Sequence, residues 1–242
     1  MSALLEIENV SRSFGGLKAL TDVSFSVNEG EVVSVIGPNG AGKTTLFNVI
    51  SGLMPPSAGD VRFHGKSIVG TATHAIAEAG IGRTYQTVRP FVRLSVIDNV
   101  AVGALVHERT LASARRVARE ILEAVGLVQL ADAPASSLTL TQRKRLEVAR
   151  ALATKPKLLL LDEVMAGLNP TEVDAMCAFI LSLRERGIAA VGAIEHLMRV
   201  VMNVSHRIVV LDFGKKIAEG SPSEIATHPD VIAAYFGSAL ET

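Results

Sequence analysis

The run Gly37-Pro38-Asn39-Gly40-Ala41-Gly42-Lys43-Thr44-Thr45 combines three kinds of group suited to a single ligand. Glycines let the backbone turn sharply and bring N–H groups close to an anion, lysine adds a cation, and threonine adds a hydroxyl. Together they match the phosphate-binding loop, in which backbone amides cradle a triphosphate, Lys43 neutralises the β and γ phosphates and Thr44 ligates Mg²⁺. The run follows the apolar stretch Val32–Ile36 directly and opens a helical pattern, the strand–loop–helix context that such a loop requires.

A second constellation lies further on, where four leucines at 158–161 lead into Asp162 and Glu163. This describes a buried strand presenting two carboxylates at its carboxyl end, where α/β sheets bind ligands. Asp162 suits Mg²⁺, directly or through water. Glu163 suits a general base that orients and deprotonates an attacking water. Loop and acid pair together specify a nucleoside triphosphatase without saying which kind. The acids are expected to face Lys43 from the strand neighbouring that of the loop.

Placing these groups demands a sheet. Residues 4–10, 23–27 and Val32–Ile36 read as strands, with a turn at Gly15-Gly16 and a hairpin turn at Asn28-Glu29-Gly30 between the last two. After the loop, Leu46, Val49, Ile50 and Leu53 recur at helical spacing until Gly52 and Pro55-Pro56 stop them. Residues 61–64 with Gly65 suggest a further short strand and turn. From about 72 to 150 the pattern is mostly helical. There Val117, Ile121, Leu122 and Val125 form an apolar stripe, Arg115, Arg116, Arg119, Glu120 and Glu123 a solvated face, and Gly126 a terminator. Beyond 157, strands at 158–161, 189–194 and 207–211 alternate with helices at 170–186 and 197–205, which implies a parallel sheet. Two short helices should start at Ser221-Pro222 and His228-Pro229.

Composition narrows the class. A chain of 242 residues with 48% hydrophobic content suits one large α/β domain, or a core with a subdomain, that needs neither disulfides nor metals for its core. Its single cysteine, Cys177, excludes an intrachain disulfide and sits in an apolar helical stretch as a packing residue. Lys+Arg 24 balances Asp+Glu 24, so no global field draws the chain to nucleic acid, and none is expected as a partner. The start of the chain carries Glu6 and Glu8 and does not read as a signal peptide; no run approaches the roughly 18 to 20 apolar residues of a spanning helix.

Further motifs carry a family resemblance. Gly82-Arg83-Thr84-Tyr85-Gln86 resembles the Q-loop of ABC ATPases, Ile194-Glu195-His196 resembles their switch-histidine motif, and Phe14 matches their aromatic A-loop position, with a core phenylalanine as the competing reading. All motifs occur in the family order and cover essentially the whole chain. The resemblance implies the ABC ATPase fold: an α/β P-loop NTPase core with a mostly parallel sheet, an N-terminal antiparallel β subdomain and an α-helical subdomain. It implies one nucleotide-binding domain over 1–242, with 1–86 and 157–242 as catalytic core and about 87–156 as the helical part. It also implies ATP and Mg²⁺ as cofactors, Gln86 reaching the Mg²⁺ and the water, His196 near the γ-phosphate, and Phe14 stacked on adenine.

Finer features resemble one branch. Phe14-Gly15-Gly16-Leu17-Lys18-Ala19-Leu20, Gly82-Arg83-Thr84-Tyr85-Gln86, Ala166-Gly167-Leu168-Asn169-Pro170 and the tail Pro229-Asp230-Val231-Ile232-Ala233-Ala234-Tyr235 look like the ATPases of branched-chain amino acid importers, the LivG type more than its LivF companion. That implies a role in importing branched-chain or other amino acids from the cytoplasmic face of the membrane, as a peripheral subunit. Implied partners are a second ATPase subunit (LivF-like, or a second copy), transmembrane permease subunits whose coupling helices dock near Thr87, Val88, Arg89, Pro90 and Phe91, and, indirectly, a periplasmic or extracellular binding protein. Two other readings stay open: an ABC-type ATPase outside transport, and a largely regulatory ATP-binding subunit.

The chain departs from the family at its signature, usually Leu-Ser-Gly-Gly-Gln, which contacts the γ-phosphate held by the opposite subunit. Here it reads Leu138-Thr139-Leu140-Thr141-Gln142, so Thr139, Thr141 and Gln142 would make that contact without either glycine. Thr139 and Gln142 also have capping-box spacing. The site completed by this segment is expected to hydrolyse slowly or mainly to hold ATP. Asn169 stands where many relatives carry aspartate, and Pro170 fits the first position of a helix.

Overall fold

The structure, a computed structural model, describes residues 3–85, 90–185, 187–193 and 198–236. The chain opens with β1 (Leu5–Phe14) and β2 (Leu17–Val27), joined by the two-residue turn Gly15-Gly16 with Phe14 opposite Leu17. There follow β3 (Val32–Ile36), α1 (Lys43–Ile50), β4 (Ala58–Phe63), β5 (Lys66–Ser67), α2 (Thr73–Ala79) and β6 (Ile81–Arg83). Three helices come next: α3 (Val96–Ala104), α4 (Leu111–Ala124) and α5 (Leu140–Ala153). The last part runs β7 (Leu158–Asp162), α6 (Pro170–Glu185), β8 (Ala189–Ala193), α7 (Met198–Val204), β9 (Arg207–Asp212), β10 (Lys215–Gly220), α8 (Pro222–Ala226) and α9 (Pro229–Phe236).

Two sheets result. One is four-stranded and antiparallel, in the order β2-β1-β4-β5; the other is six-stranded, in the order β10-β9-β3-β8-β7-β6, parallel throughout except where β10 returns along β9. The turn at Asn28-Glu29-Gly30 is therefore not a hairpin. It carries the chain from one sheet to the other, and both the backbone and the side-chain amide of Asn28 donate to the Glu31 carboxylate, at 2.8 and 3.1 Å. All five residues of β3 are buried. A strand buried at every position needs cover on both faces, which a central parallel strand receives and an edge hairpin does not.

The six-stranded sheet separates two cores, and alternate strand residues feed each of them. Leu158 and Leu160 join Leu46, Phe47 and Ile50 of α1 and the inner face of the antiparallel sheet. Leu159 and Leu161 join Met176, Ile180 and Leu183 of α6 and the apolar faces of α3, α4 and α5, with Cys177 packed against this cluster. On the exposed polar face of α4, Arg115 makes a paired contact with Asp98 of α3, Nε to Oδ1 at 2.7 Å and Nη2 to Oδ2 at 2.9 Å. That guanidinium holds the Asp98 carboxyl below its usual range.

Candidate active site

The run 37–45 fills the gap between β3 and α1 and supplies the first three residues of α1. Gly37 sits at φ 150°, and a Cβ there would lie 2.0 Å from the Leu211 carbonyl oxygen of β9, so only glycine fits. The Lys43 ammonium is buried and folds back over the loop, donating to the carbonyls of Gly37 at 2.6 Å and Pro38 at 2.8 Å. Gly42 is the N-cap of α1, so no cap side chain fills the first turn, and Lys43, Thr44 and Thr45 bring no acid to it. The helix thus presents its leading amides and the positive end of its dipole to an outside anion.

A cleft of about 350 Å³ opens over this loop. Gly40, Ala41, Gly42, Lys43, Thr44 and Thr45 form one side; Phe14, Leu17, Lys18 and Ala19 from the β1–β2 turn form another, and Phe213 reaches in from the β9–β10 turn. Phe14 is 44% exposed and so is not a core residue, and the Arg12 guanidinium lies over its ring at 4.8 Å. Gly37, Pro38 and Asn39 form the arm of the loop that leaves β3 and do not line the cleft. Phe213 and Lys18 escaped the sequence reading; a lone aromatic before Gly214 in a strand-turn-strand pattern is the signal that could have found Phe213.

The acid pair does not come from the strand next to β3. β8 lies between β3 and β7, because both flanks of the fully buried β3 are taken by β8 and β9. Asp162 ends β7 almost wholly buried, and the Lys43 charge acts on it. Burial pushes its carboxyl above the ordinary range, against the pull of Arg83 and, more weakly, of Lys43. Arg83, from β6, donates Nη2 to Asp162 Oδ2 at 3.1 Å and Nη1 to Ser51 Oγ at 2.7 Å. It thereby ties β6 and the end of α1 to the acid. With Oδ2 engaged, Oδ1 is the oxygen left for a cation. Among the described residues no group of three or more His, Cys, Asp or Glu side chains could hold a metal. A hydroxyl at Thr44 and one carboxylate at Asp162 fit Mg²⁺, which keeps waters and takes much of its shell from phosphates.

Glu163 follows in the left-handed region, at φ 49°, and its carbonyl accepts the buried Lys144 ammonium of α5 at 2.7 Å. Burial lowers the pKa of that lysine, opposed by the Glu163 charge. Two further residues on α5 reach the same region: Glu147 accepts the Tyr85 amide and pairs with Arg150 at 2.8 Å, while the Arg150 guanidinium lies 4.9 Å from the centre of the Phe91 ring.

Thr139, Thr141 and Gln142 do not line the cleft over their own phosphate loop. Thr139 caps α5: its hydroxyl accepts from the Gln142 amide at 3.3 Å, while the Gln142 side chain accepts from the Thr139 amide at 2.9 Å. The Thr141 hydroxyl donates to Glu172 at 2.8 Å, and Leu140 stands 54% exposed. Asn169 caps α6, trading hydrogen bonds with Glu172 at 2.9 and 3.0 Å. Gln86 and His196 lie outside the described residues, as do Thr87, Val88 and Arg89.

A phosphate loop at the carboxyl edge of a mostly parallel sheet, with a buried aspartate ending a second strand of that sheet, defines a P-loop nucleoside triphosphatase. Residues 20–166 match the ABC transporter family, and residues 215–241 match the branched-chain amino acid ATP-binding cassette transporter family. The high-affinity branched-chain amino acid transport ATP-binding protein BraF of Pseudomonas aeruginosa is 42% identical over 98% of each chain. The ADP conformation of MJ1267, an ATP-binding cassette of an ABC transporter, superposes with a TM-score of 0.88 at 32% identity, covering 98% of this chain and 100% of that one. The cassette MJ0796, solved as a dimer in a post-hydrolysis state with ADP and Pi, gives 0.82 at 26% identity over 90% and 98%. The chain belongs to the ABC transporter family, as its ATP-binding and ATP-hydrolysing subunit. Such ATPases work as dimers with permease subunits, and no described helix of this chain is long and apolar enough to cross a membrane.

Proposed function

We propose that this chain drives the import of branched-chain or other amino acids, and that its hydrolytic residues are those singled out from the sequence. BraF is a branched-chain amino acid transport protein and the tail at 215–241 matches a family of the same description, which supports that substrate class. Residues 37–45 hold the triphosphate, with Lys43 against the β and γ phosphates and Phe14 beneath the base. Mg²⁺, held by Thr44 and Asp162 with Gln86 nearby, would neutralise charge on the transferred phosphate. Glu163 takes the proton of the attacking water, and His196 lies near the γ-phosphate. The catalytic core comprises 1–86 and 157–242, and the helical part about 87–156.

Thr139, Thr141 and Gln142 lie away from their own cleft, so they meet the nucleotide of a second subunit, a LivF-like companion or another copy. The pair sits peripherally on the cytoplasmic face, against permease subunits that dock near Phe91, and a binding protein outside supplies the cargo. The observation that carries this reading is the burial of Asp162 at the end of β7 under the charge of Lys43. Two variants of the full chain test it. Lys43→Ala should lose tight ATP binding. Glu163→Gln should bind ATP normally and lose turnover in the assembled transporter; wild-type turnover in either variant overturns the reading.

A further inference from the structure

Phe213 has no role in either core. It is the most exposed large hydrophobic residue among those described, at 86%, and it occupies the turn between β9 and β10 at φ 41°. Bulky side chains rarely adopt that conformation, and a glycine or asparagine would serve the turn with less strain. The turn itself is fixed. The Gly214 amide donates to the Ala41 carbonyl in the phosphate loop at 3.1 Å, and the Gly214 carbonyl accepts from the Thr21 amide of β2 at 2.8 Å. A Cβ at Gly214 would lie 2.6 Å from the Ala19 carbonyl, so the turn packs directly against the backbone of β2. The backbone beside the exposed ring is thus tied to the loop that holds phosphate, and the ring lines the same cleft as Phe14.

We propose that Phe213 is a second stacking surface for the nucleobase, pairing with Phe14 to make a slot for a planar purine. This rests on the reading that ATP lies in the cleft over residues 37–45. Arg12 covers one face of the Phe14 ring, which leaves that residue a single face for a base. A planar ring seated on that face exposes its other side, and among the described residues Phe213 is the one further aromatic lining the cleft. Stacking between two phenyl rings follows the π-surface of the base and carries no hydrogen-bond code. The slot therefore accepts adenine and guanine alike, and it contributes nothing to the grip on the triphosphate.

The experiment measures equilibrium binding of ATP, GTP and inorganic tripolyphosphate, each with Mg²⁺, to the full chain and to Phe213→Ala and Phe213→Trp. The alanine variant should bind ATP and GTP about tenfold more weakly and tripolyphosphate unchanged, and the tryptophan variant should bind all three like wild type. Unchanged ATP binding by Phe213→Ala overturns the proposal. So does an equal loss for ATP and tripolyphosphate, which would place the effect in the phosphate loop. Because the side chain packs against neither core, its removal should leave the melting temperature within a few degrees. Lys43→Ala separates the two levels: if it binds ATP like wild type, the site reading itself fails, whereas loss of all three ligands there with no effect at 213 removes only the second stacking surface.

Discussion

Replacing Arg83 with methionine removes one partner of an ion pair whose side chains are 6% and 3% exposed. Breaking a buried pair from one side costs about 3–5 kcal/mol, because a charge is left without its partner in a poor solvent. The Lys43 charge still acts on Asp162, so the lower end, about 3 kcal/mol, is expected, equivalent to a fall of about 6–12 °C in the melting temperature for a chain of this size. Adding Asp162→Asn to Arg83→Met removes the unpaired charge and should recover most of the loss, a coupling of about 2–3 kcal/mol in the double-mutant cycle. The pH dependence follows from the direction of the shift. Burial already raises the Asp162 carboxyl above its unfolded value, and loss of Arg83 raises it further. The folded state then binds the extra proton, so stability falls as pH rises from the unfolded value towards the folded one, and returns on acidification. Scanning calorimetry of the nucleotide-free full chain at several pH values measures both effects. A coupling below about 0.5 kcal/mol, or a variant whose stability does not recover in acid, would refute the reasoning.

Two further outcomes are expected of the assembled transporter. Restoring glycine at 140 and 141 together should raise steady-state ATP turnover several-fold, while lowering the melting temperature through loss of the Thr141–Glu172 hydrogen bond, about 1 kcal/mol, and about 0.5–1 kcal/mol for each glycine in α5; unchanged turnover would mean that Leu140 and Thr141 do not limit the site they complete. Lys144→Met keeps the bulk of the side chain and removes its donor to the Glu163 carbonyl, so kcat should drop about tenfold with the KM for ATP unchanged, and wild-type kcat would clear Lys144 of any part in holding the base.

The phosphate loop, the acid pair and the βα alternation after 157 were legible because each is a local pattern: glycine spacing, a leucine run ending in charge, apolar blocks separated by helices. What escaped depends on partners distant in sequence. β6 has three residues, too few for periodicity to show, and it exists because Ile81 to Arg83 extend the sheet beside β7. The turn at 28–30 looks like a hairpin turn locally, and only the choice of β8 and β9 as neighbours of β3 makes it a crossing between sheets. That choice also placed β8 between the loop's strand and the acids. At the site, Arg83 read as one letter of a loop motif, yet its guanidinium holds Asp162 from 79 positions away. Phe14 lines the cleft beside the loop; Phe213 shares that cleft only through the return of β10 along β9.

Lys144, Glu147 and Arg150 follow one another at three-residue steps along α5 and touch Glu163, Tyr85 and Phe91 in turn. A helix of 14 residues is a rod about 21 Å long, stiff over the two turns that separate the first contact from the last. A tilt of that rod would displace the Glu163 carbonyl and both flanks of the segment 86–89 in one movement. A displacement at Phe91 would then reach the Glu163 carbonyl through one stiff element, with Arg150 at one end of the lever and Lys144 at the other.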